Sequence, residues 1–286
     1  MKKLLPLLLI ALACFSFKGE KKAYQLFDSK GKAVTYDELL AAAKQADIVM
    51  FGELHDNPIV HWLELSLEKD LYDAKKEKLV LGAEMFEADD QIILNEYLAG
   101  KLSENTFKDE AKLWGNYGTD YKPLVDFAKG NRIPFIATNV PRRYANIVYK
   151  RGLGALDSLD TEAKKWIAPL PIAYDSTVRA YKEIFENAGG HGGQNLPKSQ
   201  AVKDATMAHF ILQNWTPGKT FLHFQGAYHS NNNSGIVWYL QKSNPKLKIL
   251  VISSTTQTNV DTLDDGTTGS GDFIICVPED MTRTQQ

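Results

Sequence analysis

Six unbroken apolar runs, many rich in β-branched residues, recur along the 286-residue chain with helix-like sequence between them. They predict strands over 47–53, 79–86, 133–140, 220–229, 247–253 and 272–277. None alternates apolar with polar, so these read as strands buried on both faces. Helical patterns fill the intervals over 36–46, 58–75, 89–98, 121–129, 200–215 and 235–242. Thr35 and Glu38 form a capping box ahead of the first. Asn57 and Pro58 supply an N-cap and a first helical residue for the second. Its apolar stripe of Ile59, Leu63, Leu67 and Leu71 has helical i, i+4 spacing. Strand and helix in regular alternation imply an α/β fold: a largely parallel sheet flanked by helices. Residues 24–34 predict a small hairpin ahead of it, and the polar tail after Pro278 is expected to be disordered.

One stretch breaks the rhythm. Residues 141–198 hold short helical patterns, no strand, and the loop Gly189-Gly190-His191-Gly192-Gly193. This predicts a helical insertion over the carboxyl ends of the strands, within a single α/β domain spanning 24–280; His191 is expected to be mobile. The N-terminus stands apart. Lys2-Lys3 precedes an apolar run from Leu4 to Ala13, too short to span a bilayer, which reads as a signal peptide over 1–13. Ala11-Leu12-Ala13 suits an ordinary signal peptidase. Cys14 after it resembles a lipobox with Ala11 and Leu12 swapped, and lipidation of Cys14 is the expected outcome, with a membrane anchored through that lipid as a partner. The other cysteine, Cys276, lies in a β-rich run and is expected to be a buried free thiol. Two cysteines exclude both a disulfide framework and a cysteine-based zinc site. With 33 basic and 35 acidic side chains, net charge −2, nucleic acid is not an expected partner.

In a parallel α/β sheet, ligands bind outside the carboxyl ends of the strands. Four predicted strands deliver polar groups there. The first ends in Gly52-Glu53-Leu54-His55, the second near Glu84, the third in Asn139-Val140-Pro141-Arg142-Arg143, the fourth in Gly226-Ala227-Tyr228-His229. His55 and His229 each follow a glycine by three residues; the glycine would let the strand end turn tightly, and the imidazole could be a metal ligand or a general base. Glu84 sits within an apolar run, where an unpaired carboxylate is costly. Metal binding, acid–base work or pairing with Arg142 would each account for it. Glu53 reads as a further metal ligand or as the group that orients His55. Of Arg142 and Arg143, one is expected to grip a carboxylate and the other to be solvated. His61 either leans into the site or lies at the surface, and His209 reads as structural. Gln200 and Asp204 share a helix face that looks into the crevice or at solvent. No phosphate loop, nucleophile elbow, His-Glu-x-x-His or dinucleotide fingerprint is present.

Gly52-Glu53-Leu54-His55-Asp56-Asn57 with His61, Gly82-Ala83-Glu84-Met85-Phe86 with Gln91, Asn139-Val140-Pro141-Arg142, Gln200 with Lys203-Asp204-Ala205, and Gly226-Ala227-Tyr228-His229 occur in one order. That combination resembles the ChaN-like haem-binding lipoproteins of the wider Tiki and erythromycin-esterase-like superfamily, over roughly residues 40–255. The resemblance implies haem or iron handling in the bacterial cell envelope. It also implies a homodimer with haem held at the interface through a tyrosine. Tyr174 and Tyr181 are the candidate haem ligands, Tyr144 a weaker one, with Arg142 as a further cofactor contact and Ile172, Val178 and Phe185 as neighbours. The superfamily's enzymes imply the alternative: a metal-dependent hydrolase with catalytic residues His55, Glu84 and His229, and Glu53, His55, Glu84 and His229 as ligands of a divalent metal.

Overall fold

The computed structural model describes residues 21–187 and 193–284. The signal segment, Cys14 and His191 lie outside them. Eight strands form one sheet: β1 Gln25–Asp28, β2 Ala33–Val34, β3 Ile48–Glu53, β4 Leu79–Glu87, β5 Phe135–Asn139, β6 Thr220–Gly226, β7 Ile249–Gln257 and β8 Phe273–Pro278. Their order is β2-β1-β8-β7-β3-β6-β4-β5. The expected α/β architecture is present: β3 to β8 run parallel, and the β1–β2 hairpin adds antiparallel to β8.

The helices are α1 Tyr36–Ala43, α2 Pro58–Lys75, α3 Gln91–Leu98, α4 Glu104–Glu110, α5 Lys122–Asn131, α6 Arg142–Arg151, α7 Thr161–Lys164, α8 Arg179–Asn187, α9 Asn195–Asn214 and α10 Ile236–Ser243. Successive strand residues point to opposite faces, and both faces are covered. Val49 and Phe51 enter a core built with α1 to α5. Ile48 and Met50 enter a second core built with α6, α8, α9 and α10. The predicted caps hold: Thr35 and Glu38 make the reciprocal capping box, and Asn57 Oδ1 accepts from the N–H groups of Ile59 and Val60. Edge strand β5 is not bare. Gln91 reaches across to accept from Ala137 N–H and donate to the Phe135 carbonyl, which blunts the open edge.

Three expectations change. Helix α9 begins at Asn195 rather than at 200, because Pro197 falls in its first turn, where a missing N–H costs nothing. Between 141 and 198, α8 borders the strand ends through Ala180 and Ile184 and α6 does so through its first residue, Arg142; the rest of α6 belongs to the layer on the sheet face, beside α9. The tail is pinned rather than free. Thr284 N–H donates to the Asp56 carbonyl, its hydroxyl to Asp120, and Arg283 pairs with Asp56 at 3.1 Å. Cys276 is fully buried in β8, as expected of a core thiol. No helix among the described residues is long and apolar enough to cross a membrane.

Candidate functional site

The two Gly-x-x-His segments lie side by side because β3 pairs with β6, with Glu53 opposite Gly226. Neither glycine is in a left-handed conformation; both are needed for close approach. A Cβ on Gly52 would sit 2.9 Å from the Ala227 Cα and from the Ile252 carbonyl oxygen. A Cβ on Gly226 would sit 2.8 Å from His55 Nε2 and Cε1. Each glycine thus makes room for the other segment, and the His55 ring lies flush on the Gly226 backbone.

Glu84, within β4, and Glu53, at the end of β3, lie on either side of β6 and face opposite ways. Glu84 shares the parity of Val80, which enters the α9-side core, and Glu53 that of Val49 and Phe51, which lie under α2. Glu84 is buried. Its Oε2 accepts from Gly226 N–H at 2.9 Å, and its Oε1 lies 3.2 Å from His229 Nε2. His229 Nδ1 meets Asp204 Oδ1 at 2.5 Å, and Tyr181 donates its hydroxyl to the other Asp204 oxygen. Burial disfavours the charged imidazole, but two carboxylates outweigh it and push the His229 pKa up to about 10. Burial likewise opposes Glu84 ionisation, and His229, with smaller help from His55 and Lys203, reverses that and holds Glu84 well below the usual range. His229 is therefore an imidazolium clamped between Glu84 and Asp204. Both of its nitrogens face a carboxylate.

His55 is placed differently. Its Nδ1 meets Glu53 Oε1 at 2.5 Å, Tyr121 donates to the same oxygen, and its ring edge packs against Trp114. Burial lowers its pKa, yet Glu53 and then Glu84 raise it on balance. Glu53 stands behind His55, fully enclosed, and does not line the hollow. From there one of its oxygens holds the His55 ring.

His55, Glu84, Arg142 and His229 do line one hollow of about 620 Å³, together with Trp114, Val140, Ala180, Ile184, Lys203 and Tyr228. Gln200 and Asp204 face into it, which decides the question their helix spacing left open. Asn139 Oδ1 and Gln200 Oε1, both buried on its wall, have no hydrogen-bond partner; such atoms mark a wall built to meet water or a ligand. Arg142 makes no ion pair among the described residues and stands between this hollow and a shallower one shared with Trp114, Lys112 and Asn116. Arg143 turns away, pairing with Asp89 at 2.7 Å and lying over the Tyr144 ring.

The tyrosines fall out unlike the expectation. Tyr181 is 1% exposed, its hydroxyl spent on Asp204. Tyr144 is buried beneath Arg143. Tyr174 and Phe185 border a separate cavity of about 490 Å³ outside the hollow, so Tyr174 and Arg142 do not share a site. Tyr228, 80% exposed on the rim of the hollow, is the tyrosine that faces it. Its place beside His229 in the fourth strand end was the available signal. Trp114 carried none, because it lies in an irregular segment. His61 leans inward, buried, with Nε2 3.1 Å from the His55 carbonyl. His209 packs on Phe210 away from the hollow. His223 is buried between Thr138 and Gln225; burial, opposed by the Gln225 bond, drops its pKa to about 4, so it is a neutral core residue.

The profile of a protein family described as haem-binding uptake, Tiki superfamily, ChaN, matches residues 39–240. Among solved structures, one described as cofacial haem binding to ChaN of Campylobacter jejuni aligns at a TM-score of 0.63. Identity is 15%, covering 90% of this chain and 98% of that one. A succinoglycan biosynthesis protein aligns at 0.50 with 11% identity, covering 92% and 96%. These likenesses are likenesses of fold. No curated protein matched the sequence.

Proposed function

This chain belongs to the haem-binding uptake family of the Tiki superfamily that is represented by ChaN, and from that premise we propose that it binds haem in the hollow at the strand ends. Tyr228 carries the proposal: a large aromatic side chain left 80% exposed, with its phenol free, on the rim of a half-apolar cavity. A tyrosine phenolate ligates ferric haem. Trp114, Val140, Ala180 and Ile184 offer apolar contact to a porphyrin, and Arg142 and Lys203 offer cations for its propionates. The volume is within the range of cofactor sites. Tyr174, in the neighbouring cavity, is the second choice of ligand.

The rim position of Tyr228 leaves one face of such a haem uncovered. A second copy of the chain is the proposed cover, in keeping with the cofacial haem described for the Campylobacter jejuni protein. Hemin titration should give a saturable Soret shift in the wild type. Tyr228→Phe should weaken binding at least about tenfold, the loss of one good ligand interaction of about 1.4 kcal/mol or more, while Tyr174→Phe leaves it unchanged. Haem should also raise the dimer fraction on sizing. Unaltered hemin spectra would refute the function, and a Tyr228→Phe protein that binds as wild type would refute the ligand.

Delivery to the bacterial envelope through a lipid on Cys14, and service in iron acquisition, belong to the same proposal. They rest on the charged and apolar N-terminal segment before Cys14. Cys14→Ala should move the protein from the membrane to the soluble fraction. The hydrolytic alternative would use His55, Glu84 and His229 of the same hollow, but the family match speaks for haem.

A further inference from the structure

Helix α2 buries charge that the hollow does not use. Its inward face carries Val60, Leu63, Leu67 and Leu71, and beside them His61, Glu64 and Glu68. Positions 61, 64 and 68 are spaced so that all three point the same way. Both glutamates are 0% exposed. Across from them stands Glu53, brought to this side of the sheet by its parity in β3.

These groups satisfy one another only in part: His61 bonds one oxygen of Glu64. Glu53 Oε2, Glu64 Oε1 and both oxygens of Glu68 lack any hydrogen-bond partner. Such oxygens are costly to bury as anions, and burial accordingly pushes Glu64 and Glu68 toward the neutral acid; a cation in the gap would hold Glu64 in its charged form instead. Around the gap, His61 Nδ1 lies 2.8 Å from Glu64 Oε2 and 3.3 Å from Glu53 Oε2. One donor atom from each of Glu53, His61 and Glu64 falls within 4.8 Å of the others. Ligands 2.0–2.1 Å from a tetrahedral ion sit about 3.3 Å apart, so the donors are already near that spacing.

The imidazole is set as a metal ligand's would be. Nε2 is 3.1 Å from the His55 carbonyl, which can only accept, so Nε2 bears a hydrogen, and Nδ1, turned to Glu64 and Glu53, is the nitrogen at which a metal would take the place of a proton. Asn116 donates to the same carbonyl and to Asp120, which fixes the loop that carries it. A dication would neutralise Glu53 and Glu64 together and give their orphaned oxygens a partner.

We propose that Glu53, His61 and Glu64 form a buried site for a divalent transition-metal ion, zinc or manganese by donor type, behind the hollow and separate from it. The two regions meet at Glu53. One carboxylate oxygen would hold the ion, and the other holds His55. The ion would therefore fix the ring that floors the hollow, whatever the hollow binds.

The test is metal content. Protein purified from medium supplemented with zinc or manganese should carry about one ion per chain, measured by plasma mass spectrometry. Glu64→Gln keeps the shape, removes one ligand oxygen charge, and should weaken zinc binding at least about a hundredfold in competition with a chelator. Glu84→Gln, in the hollow, should retain the ion. The proposal is overturned if neither zinc nor manganese binds at saturating concentration, if Glu64→Gln retains wild-type affinity, or if Glu84→Gln loses the ion. Should circular dichroism show Glu64→Gln misfolded, His61→Gln gives the same reading, and cobalt substitution gives another: a visible absorption band in wild type that is retained in Glu84→Gln supports the site, and no band overturns it.

Discussion

Two alanine substitutions separate what the paired glycines do. In Gly52→Ala the new methyl carbon would lie 2.9 Å from two atoms, the Ala227 Cα and the Ile252 carbonyl oxygen, both backbone. Ordinary contact begins several tenths of an ångström further out. Relief means moving β7 or the turn after β6 away from β3, at the centre of the sheet. Overpacking of that kind costs about 1–3 kcal/mol. For a chain of this size it lowers Tm by about 2–4 °C per kcal/mol. In Gly226→Ala the methyl meets only the far end of the His55 ring, at 2.8 Å. That ring can rotate toward the open hollow, so stability falls by about 1 kcal/mol or less. The damage appears elsewhere: the ring leaves Glu53, the contact that raises its pKa. Urea denaturation followed by circular dichroism reads the first effect. NMR titration of the His55 imidazole reads the second, and its pKa should fall in Gly226→Ala and hold in Gly52→Ala. Equal destabilisation by both variants, or an unmoved His55 titration in Gly226→Ala, would refute the interlocking of the two segments.

Other outcomes follow from single groups. The His229 pKa is raised in the folded protein to about 10, so its contribution is fully present below about pH 6.5 and is lost as pH climbs toward 10. The stability difference between wild type and His229→Gln, in the range of about 3–5 kcal/mol for breaking a buried pair, should therefore shrink between pH 7 and pH 10.5. A difference constant over that range would contradict the clamp. Burial raises the Cys276 thiol to about 11. A thiol reagent at pH 8 should leave it unmodified until urea unfolds the chain, and prompt reaction in the native protein would place it at the surface. Arg142→Ala should weaken hemin binding by about 1–2 kcal/mol, the worth of one charge-assisted contact, without shifting Tm; unchanged affinity would remove Arg142 from the haem contacts.

Much of the frame is local and was legible. The apolar runs at β3, β4 and β6, the capping box at Thr35 and the Asn57 cap follow from residue chemistry over a few positions. So did the gathering of His55, Glu84, Arg142 and His229, since strand ends in a parallel sheet share one rim. Glu53 stands at a strand end, where ligands are expected, but side-chain parity sends it elsewhere: Val49 and Phe51 point under α2, and Glu53 goes with them. Nothing in the local pattern marks Glu64 and Glu68 as buried. Their burial depends on α5 and on the Tyr117–Tyr121 turn closing over α2, segments distant in sequence. Tyr181 looked like a free phenol because nothing nearby reveals that Asp204, on another helix, takes its hydrogen.

The sequence alone determined which segments are strands and helices, that the sheet is parallel and covered on both faces, and that ionisable groups gather at its carboxyl rim. Only the tertiary structure decided what those groups can do. It set His229 between Glu84 and Asp204, put Glu53 behind His55, left Tyr228 exposed and buried Glu64 and Glu68 on the inward face of α2. Secondary structure is set by neighbours within a few residues; charge state and hydrogen-bond satisfaction are set by partners that arrive only when distant segments pack and water is driven out.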